Sequence, residues 1–489
     1  MTATLSRRTL LAALGSAVAA PAFAQAAESN APAEKTIADK LAAYADELQY
    51  GDLGPAIVEV VKAHFIDAIG CGIGAFNEPS VRSIRALTTT ASSGGGSTII
   101  GTRKRTTMDW ASFANGAAVR FLDLNDVYAG REVGHPSDNI TPCLAVAEAE
   151  GRTGKELILA IALAYEIDCR LLDTVQISAR GWDHPNFSLP AAALAAGKLM
   201  KLPLGQLTEA VNLSLAGHLA SNQTRLQAIS NWKGLADADS GRSAVFAAQL
   251  ARGGITGPAP AFEGKAGFFN HVSGPFTVDT TQFGRQASSF KIEKCSIKAY
   301  PAQALLQTAI VASAKIGASV PDTSKIKSIV ISTSHAGQQY AADSKEKFAP
   351  ETAETADHSL PYIVAKTLID HEITNKSYTS EALHDPKLRS LLAKLTVEED
   401  PELTKMYPQK IPNRVTVTLE DGRVLKEQVD ELPGFGGKPI TRDDVEAKFR
   451  RNVRDTWREK QTREFLSFAW DLDKHDTLTD LFQRMVVSA

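Results

Sequence analysis

The stretch FLDLNDVYAGREVGHPSDN, residues 121–139, holds the densest chemistry in the chain. Asp123 and Asp126 stand three apart, a spacing that puts both carboxylates on one face of a helix end. His135 follows a polar loop, and Pro136 biases it toward extended backbone. The apolar run from about Ile140 predicts a helix whose unpaired first-turn N–H groups would suit an anion. Together these groups could take a proton from carbon and hold a carboxylate. The same residue types also fit a surface loop with an N-terminal cap.

Four further stretches stand out by residue type. His184 lies in RGWDHPNFSLP, again before a proline and an alanine-rich run. Lys233 lies in NWKGLADADSGR, with Arg242 at the end of the same stretch, and Lys298 in SIKAYPAQALLQTA. Asp357, His358, Ser359 and Tyr362 lie in ADHSLPYIVAKTL. Taken singly, these are a loop histidine, two solvated lysines and a helix cap. A lysine against apolar walls is instead a carboxylate clamp or a base of depressed pKa.

Other chemistries find no support. Gly70-Cys71-Gly72-Ile73-Gly74 follows helical spacing, not a strand, so it is no dinucleotide fingerprint. Ser92–Ser97 is glycine-rich but lacks the Gly-Lys-Ser/Thr of a phosphate loop. No Gly-x-Ser-x-Gly elbow occurs. The histidines include no His-x-x-x-His pair, so no metal is expected. Cys71, Cys143, Cys169 and Cys295 match no cluster spacing and no disulfide framework.

The elements that must position these residues are mainly helical. Ile37, Leu41, Tyr44 and Leu48 recur at helical spacing, as do Val58, Val61, Phe65 and Ile69 behind Pro55. Thr153 and Glu156 form a capping box before a run to Leu172 that is apolar on most sides, the mark of a buried helix. A helix around Ser243–Arg252 stops at Gly253-Gly254. After about Phe283 the pattern changes. Lys325–Thr333 predicts a strand, Arg414–Gln428 a hairpin turning at Asp421-Gly422, and His358–His371 a helix between them. Helical spacing returns from Thr441, with Val445, Phe449 and Val453 on one face. The expected plan is a helical domain over 36–284, an α/β lid over 285–432, and a helical return over 440–489.

Asn115-Gly116, Asp123 with Asp126, and His135-Pro136-Ser137 resemble the most diagnostic stretch of the MmgE/PrpD family. That family includes 2-methylcitrate dehydratases, cis-aconitate decarboxylases and iminodisuccinate epimerases. The resemblance runs from about Thr36 to about Arg451. It implies a large all-helical domain with a smaller α/β lid, and an active site between them. It implies catalytic roles for His135, His184, Asp123 and Asp126. It implies substrate contacts from Lys233, Lys298, His358 and Tyr362. Asp183 intervenes between Gly181-Trp182 and His184, a departure from the family's Gly-aromatic-His. Val127 and Leu360 stand where some decarboxylating members carry a threonine and an aromatic, which points away from decarboxylation. The family also implies a homodimer.

The N-terminus adds an address. Ser6-Arg7-Arg8-Thr9-Leu10-Leu11, the apolar run to Ala20 and Ala22-Phe23-Ala24 predict a twin-arginine leader over 1–26 and a periplasmic product. The run is too short to span a bilayer. The full chain of 489 residues carries a net charge of −3. Mild acidity disfavours nucleic acid or an anionic membrane surface as partner.

The expectation is therefore a lyase without cofactor or metal, acting on a small di- or tricarboxylate. Dehydration of a 2-methylcitrate-like acid comes first, with His135 or His184 as base. Asp123 or Asp126, held protonated, would help the β-hydroxyl leave. A cis-aconitate-type decarboxylase and a dicarboxylate epimerase are the alternatives. A periplasmic carboxylate-binding protein is the remote one, disfavoured because such proteins alternate strands and helices in two lobes.

Overall fold

The computed structural model describes residues 35–89, 96–226, 229–286, 288–435 and 437–488. The leader expected over 1–26 and most of Ser92–Ser97 lie outside the described residues.

Helices dominate. The first, α1 (Ile37–Glu47), starts at Thr36, whose hydroxyl accepts from the Asp39 N–H while Asp39 returns the bond. The second, α2 (Gly54–Gly74), carries Pro55 in its first turn, where a missing N–H is harmless. The glycine run Gly70–Gly74 is the end of this helix. Beyond a short surface helix over Pro79–Thr89 come α3 (Met108–Phe121), α4 (Ile140–Ala149) and α5 (Gly154–Leu172). The Thr153–Glu156 box opens α5, with the Thr153 N–H donating to Glu156 at 2.8 Å. Nearly every residue of α5 is buried, as its apolar circumference requires. Then follow α6 (Pro185–Leu199) and α7 (Ala236–Arg252). The chain leaves α7 through Gly254 at φ +84°, a left-handed backbone that glycine adopts without strain.

The smaller part opens with α8 (Gln307–Gly317) and strand β1 (Ile326–Thr333). It continues through α9 (Leu360–Asp370), β2 (Leu395–Glu399), β3 (Asn413–Leu419) and β4 (Val424–Val429). The sheet order is β2-β1-β3-β4, with β1 parallel to β2 and antiparallel to β3. Strand β3 alternates buried and half-buried residues, and β4 is the exposed edge. Leu395–Glu399 went unread in the sequence because only Leu395 of this strand is buried.

The chain then returns to the helices through α10 (Arg442–Val453) and α11 (Glu459–Trp470). One hydrophobic core joins residues from Ile37–Ile297 with Val445, Phe449 and Val453 of the return. A second core, from Ala302 to Leu419, belongs to the sheet and its helices. Phe449 lies on Gly70 of α2, where a Cβ would come within 2.8 Å of the ring. That ring is stacked on Phe465, with centroids 5.0 Å apart, and has no room to retreat.

Asp123 and Asp126 do not share a helix face. The helix stops at Phe121, and Asp123 takes a left-handed backbone at φ +51°, so both side chains belong to the turn after α3.

Gly70→Val is expected to force α2 and α10 apart. Overpacking a filled core costs about 1–3 kcal/mol, so thermal unfolding should come at clearly lower temperature.

Candidate active site

The turn after α3 is where the chemistry gathers. Asp123 is 2% exposed. Its carboxylate meets the Lys298 ammonium at 3.0 Å, Lys233 at 3.7 Å, His358 Nε2 at 4.0 Å and the Arg120 guanidinium in a short contact. Burial alone would raise its pKa. Lys233, Lys298 and Arg120 outweigh burial and hold the carboxyl well below the usual range.

Lys233 reaches the turn from the segment before α7. Its ammonium donates to Asp357 at 2.8 Å and lies 3.3 Å from His358 Nδ1. Asp357 and His358 come from the chain entering α9, so Lys233 bridges the helical part and the lid. Burial and the Lys233 charge bring the His358 pKa down to about 4, against the pull of Asp357. Lys298 is 1% exposed and also donates to the Asp123 carbonyl at 2.7 Å. Burial draws its pKa down to about 8, although Asp123 pulls the other way.

The two sequence-predicted histidine bases differ in state. His135 Nδ1 lies 2.6 Å from the Asp126 carbonyl oxygen. A carbonyl only accepts, so Nδ1 carries the proton and the neutral ring presents Nε2 as an acceptor. Burial, Arg120, Lys298 and His184 keep the His135 pKa well below its ordinary value. His184 lies edge-on to His135, ring centroids 5.3 Å apart. Its Nδ1 is 3.0 Å from Asp183 and its Nε2 is 2.8 Å from Asp237. Burial disfavours its charge, yet Asp237 and Asp183 push its pKa up to about 10. His184 is thus an imidazolium with both nitrogens on carboxylates.

Asp126 serves the turn itself. One carboxylate oxygen accepts from the Ser137 N–H at 3.0 Å; the other accepts from the Tyr165 hydroxyl at 2.8 Å and lies 2.9 Å from His64 Nδ1. Burial works against its charge, but His64 and Ser137 hold its pKa down. Neither Asp123 nor Asp126 is therefore the protonated acid the sequence suggested. The Ser137 N–H, just ahead of α4, is taken by Asp126. Tyr362 is not brought to the cluster. It is fully buried in the lid core, its hydroxyl donated to the Ser377 carbonyl and its ring stacked on Tyr378. Arg242 pairs with Asp239 instead. Asn115 anchors the loop before α3 through the Ile100 N–H and the Thr98 carbonyl.

The sequence hid several partners. Arg120 joins Asp123 to Asp237, and Arg225 joins Asp183 to Asp237 at 3.0 Å each. Asp138 accepts from Asn125 at 3.0 Å, and its second oxygen is buried without a hydrogen bond among the described residues. Burial and neighbouring Asp237 push its pKa well above the carboxylate range. One signal for Arg120 was present: a charged side chain among small apolar residues, three before Asp123. Donor atoms of Asp123, Asp357 and His358, and of Asp138, His184 and Asp237, lie close enough together to share an ion. Lys233 and Arg120 already sit against these same carboxylates.

The family model for the MmgE/PrpD N-terminal domain matches residues 39–281, and that for the C-terminal domain matches residues 300–474. The chain belongs to the MmgE/PrpD family. It is similar to a 2-methylcitrate dehydratase of Cupriavidus necator, 29% identical over 83% of this chain and 88% of the relative. It is 27% identical to a 2-methylcitrate dehydratase of Escherichia coli over 84% of this chain and 89% of that one. A probable 2-methylcitrate dehydratase of Saccharomyces cerevisiae is 27% identical over 81% and 82%. The chain is accordingly an enzyme of the hydro-lyase kind.

Tyr362→Phe is expected to leave KM and kcat unchanged while lowering stability by about 1–3 kcal/mol, because it strands the Ser377 carbonyl. Steady-state kinetics beside chemical denaturation separates this outcome from a substrate contact, which would raise KM.

Proposed function

We propose that the enzyme dehydrates a small hydroxy di- or tricarboxylate of the 2-methylcitrate kind, without a metal ion. His135 carries the proposal. Its Nδ1–H is fixed on the Asp126 carbonyl, so an unprotonated Nε2 stands beside Arg120, Lys298 and His184. Such a nitrogen takes a proton from the carbon α to a substrate carboxylate. The electron pair left on carbon forms the double bond as the β-hydroxyl departs. Lys298 is the proton donor to that hydroxyl. Its pKa of about 8 makes it a ready acid, and among the described residues its ammonium bonds only to Asp123, twice, which leaves one of its three protons for the substrate. Water leaves, and solvent returns the protons to their starting places.

Charge explains why a carboxylate substrate suits the site. Lys233, Arg120 and His184 are cations fixed before substrate arrives, so they stabilise enolate-like charge without reorganising. Bound carboxylates would in turn raise the basicity of His135, which burial and its cationic neighbours depress. Lys233 already lies among Asp123, Asp357 and His358, the place a dication would need. Elimination is favoured over epimerisation because His184, held on two carboxylates, is no second base. Val127 and Leu360 argue against decarboxylation. The twin-arginine leader would deliver the activity to the periplasm, and a homodimer is the proposed assembly.

His135→Gln should lower kcat by roughly 10²–10⁴-fold, the range for a general base. Solvent-deuterium exchange at the α carbon should vanish with it and persist, slowed, in His184→Gln. Exchange at the wild-type rate in His135→Gln would move the base elsewhere.

The pH profile tests Lys298. Its lowered pKa means the ammonium is intact below about 8 and lost above it, so kcat/KM should fall on the alkaline side of about pH 8. Lys298→Arg keeps the charge but holds its proton. That variant should bind substrate, turn over far more slowly, and lose the alkaline limb.

A further inference from the structure

The turn Asp123–Asp126 is held by its carbonyls. Lys298 donates to the Asp123 carbonyl at 2.7 Å, and His135 Nδ1 to the Asp126 carbonyl at 2.6 Å. Between them, the Leu124 carbonyl accepts from Lys448 at 2.8 Å. Lys448 comes from α10, in the C-terminal return. It is 4% exposed, and its ammonium pairs with Asp67 of α2 at 2.5 Å. Asp67 is itself buried, and its other oxygen has no hydrogen bond among the described residues. A left-handed, non-glycine Asp123 is a strained backbone that persists only when its surroundings over-determine it. Three basic side chains from three separate segments supply that determination. Two of them belong to the proposed chemistry, and Lys448 does not touch it.

We propose that Lys448, fixed by Asp67, is a positioning residue: it locks the Asp123–Asp126 turn so that the Asp126 carbonyl orients His135. The ion pair joins α2 to α10 beside the Gly70–Phe449 contact, one residue from Phe449 and three from Gly70. The return helix thereby sets the backbone on which both the Asp123 carboxylate and the His135 ring depend. Groups facing His135 are Arg120 of α3, Lys298 before the lid, His184 before α6, and Asp123 of the turn. Of these only Asp123 belongs to the turn, so loosening the turn reaches His135 through Asp123 and the Asp126 carbonyl. A relaxed turn admits water to the imidazole and lets its pKa climb toward the ordinary value. This role rests on His135 being the base, and the experiment therefore includes a readout that needs no turnover.

Asp67→Asn/Lys448→Met removes the pair without stranding a buried charge. Asp67→Asn alone keeps the lysine on Leu124. In the full-length protein, carbethoxylation of His135 by diethyl pyrocarbonate, followed by peptide mass spectrometry across pH, gives the His135 midpoint. The double variant should show a midpoint shifted upward toward 6.5, with kcat reduced at least about tenfold and KM changed little. Misplacing a catalytic group by a fraction of an ångström is sufficient for that loss. Asp67→Asn should keep the wild-type midpoint. A folded double variant with wild-type midpoint and kcat would overturn the proposal. Asp67→Asn/Lys448→Gln, with two amides in place of the ion pair, repeats the test should the first double variant fail to fold. Failure of both to fold would also overturn it, by making Lys448 a residue of core stability alone. If the wild type acts on no carboxylate, the functional reading falls, while the midpoint shift still decides the role of Lys448.

Discussion

A buried carboxylate held ionised by cations on every side is the constraint from which the rest of the site follows. Removing Asp123 from water is costly, and only close, well-placed positive groups offset the loss. Arg120, Lys233 and Lys298 provide them from three different segments. Each of those cations is buried in turn, and two of them take a further carboxylate. Arg120 also takes Asp237, and Lys233 takes Asp357. The requirement propagates until it reaches His184 and Arg225, so one buried charge organises a network spanning the helical part and the lid.

This network also divides labour between two histidines that the sequence could not tell apart. Both precede a proline, and both open toward a small-residue helix. What separates them is the partner of a ring nitrogen. A backbone carbonyl leaves His135 neutral with a free lone pair; two carboxylates make His184 a cation. The difference lies in tertiary contacts to Asp126, Asp183 and Asp237, and local spacing carries none of it.

Legibility in the sequence followed the same line. Helices with a strong period and a cap, such as Gly154–Leu172 behind Thr153, were readable because their stability is local. So was the hairpin over 413–429, with its Asp421-Gly422 turn. Leu395–Glu399 was not, since a polar edge strand lacks the alternation that marks burial. Asp123, His135, His184, Lys233, Lys298 and His358 all reach the cluster. Tyr362 carried the right family position but turns its hydroxyl into the lid core. Arg225 and Asp237 were missed because each looks like an ordinary charged residue near the end of a helix or in a loop, and Arg120 showed only its small apolar neighbours. Only the fold shows that they are buried against one another.

The tie between Lys448 and the Leu124 carbonyl spans 324 positions of chain. Its consequence concerns when, not only where, the site exists. A nascent chain that has emerged through residue 300 owns every helix of the first half and most of the reactive side chains. It still lacks the lysine that fixes their turn, and Asp67 then stands in the larger core without its partner. The lid must be made and the chain must come back before the first half can finish its own interior. Long-range closure of this kind slows folding and favours assembly of the whole over its parts. The enzyme is thereby protected from partial activity: a prematurely ended chain is an incomplete core, and the turn that would orient its base has nothing to rest on.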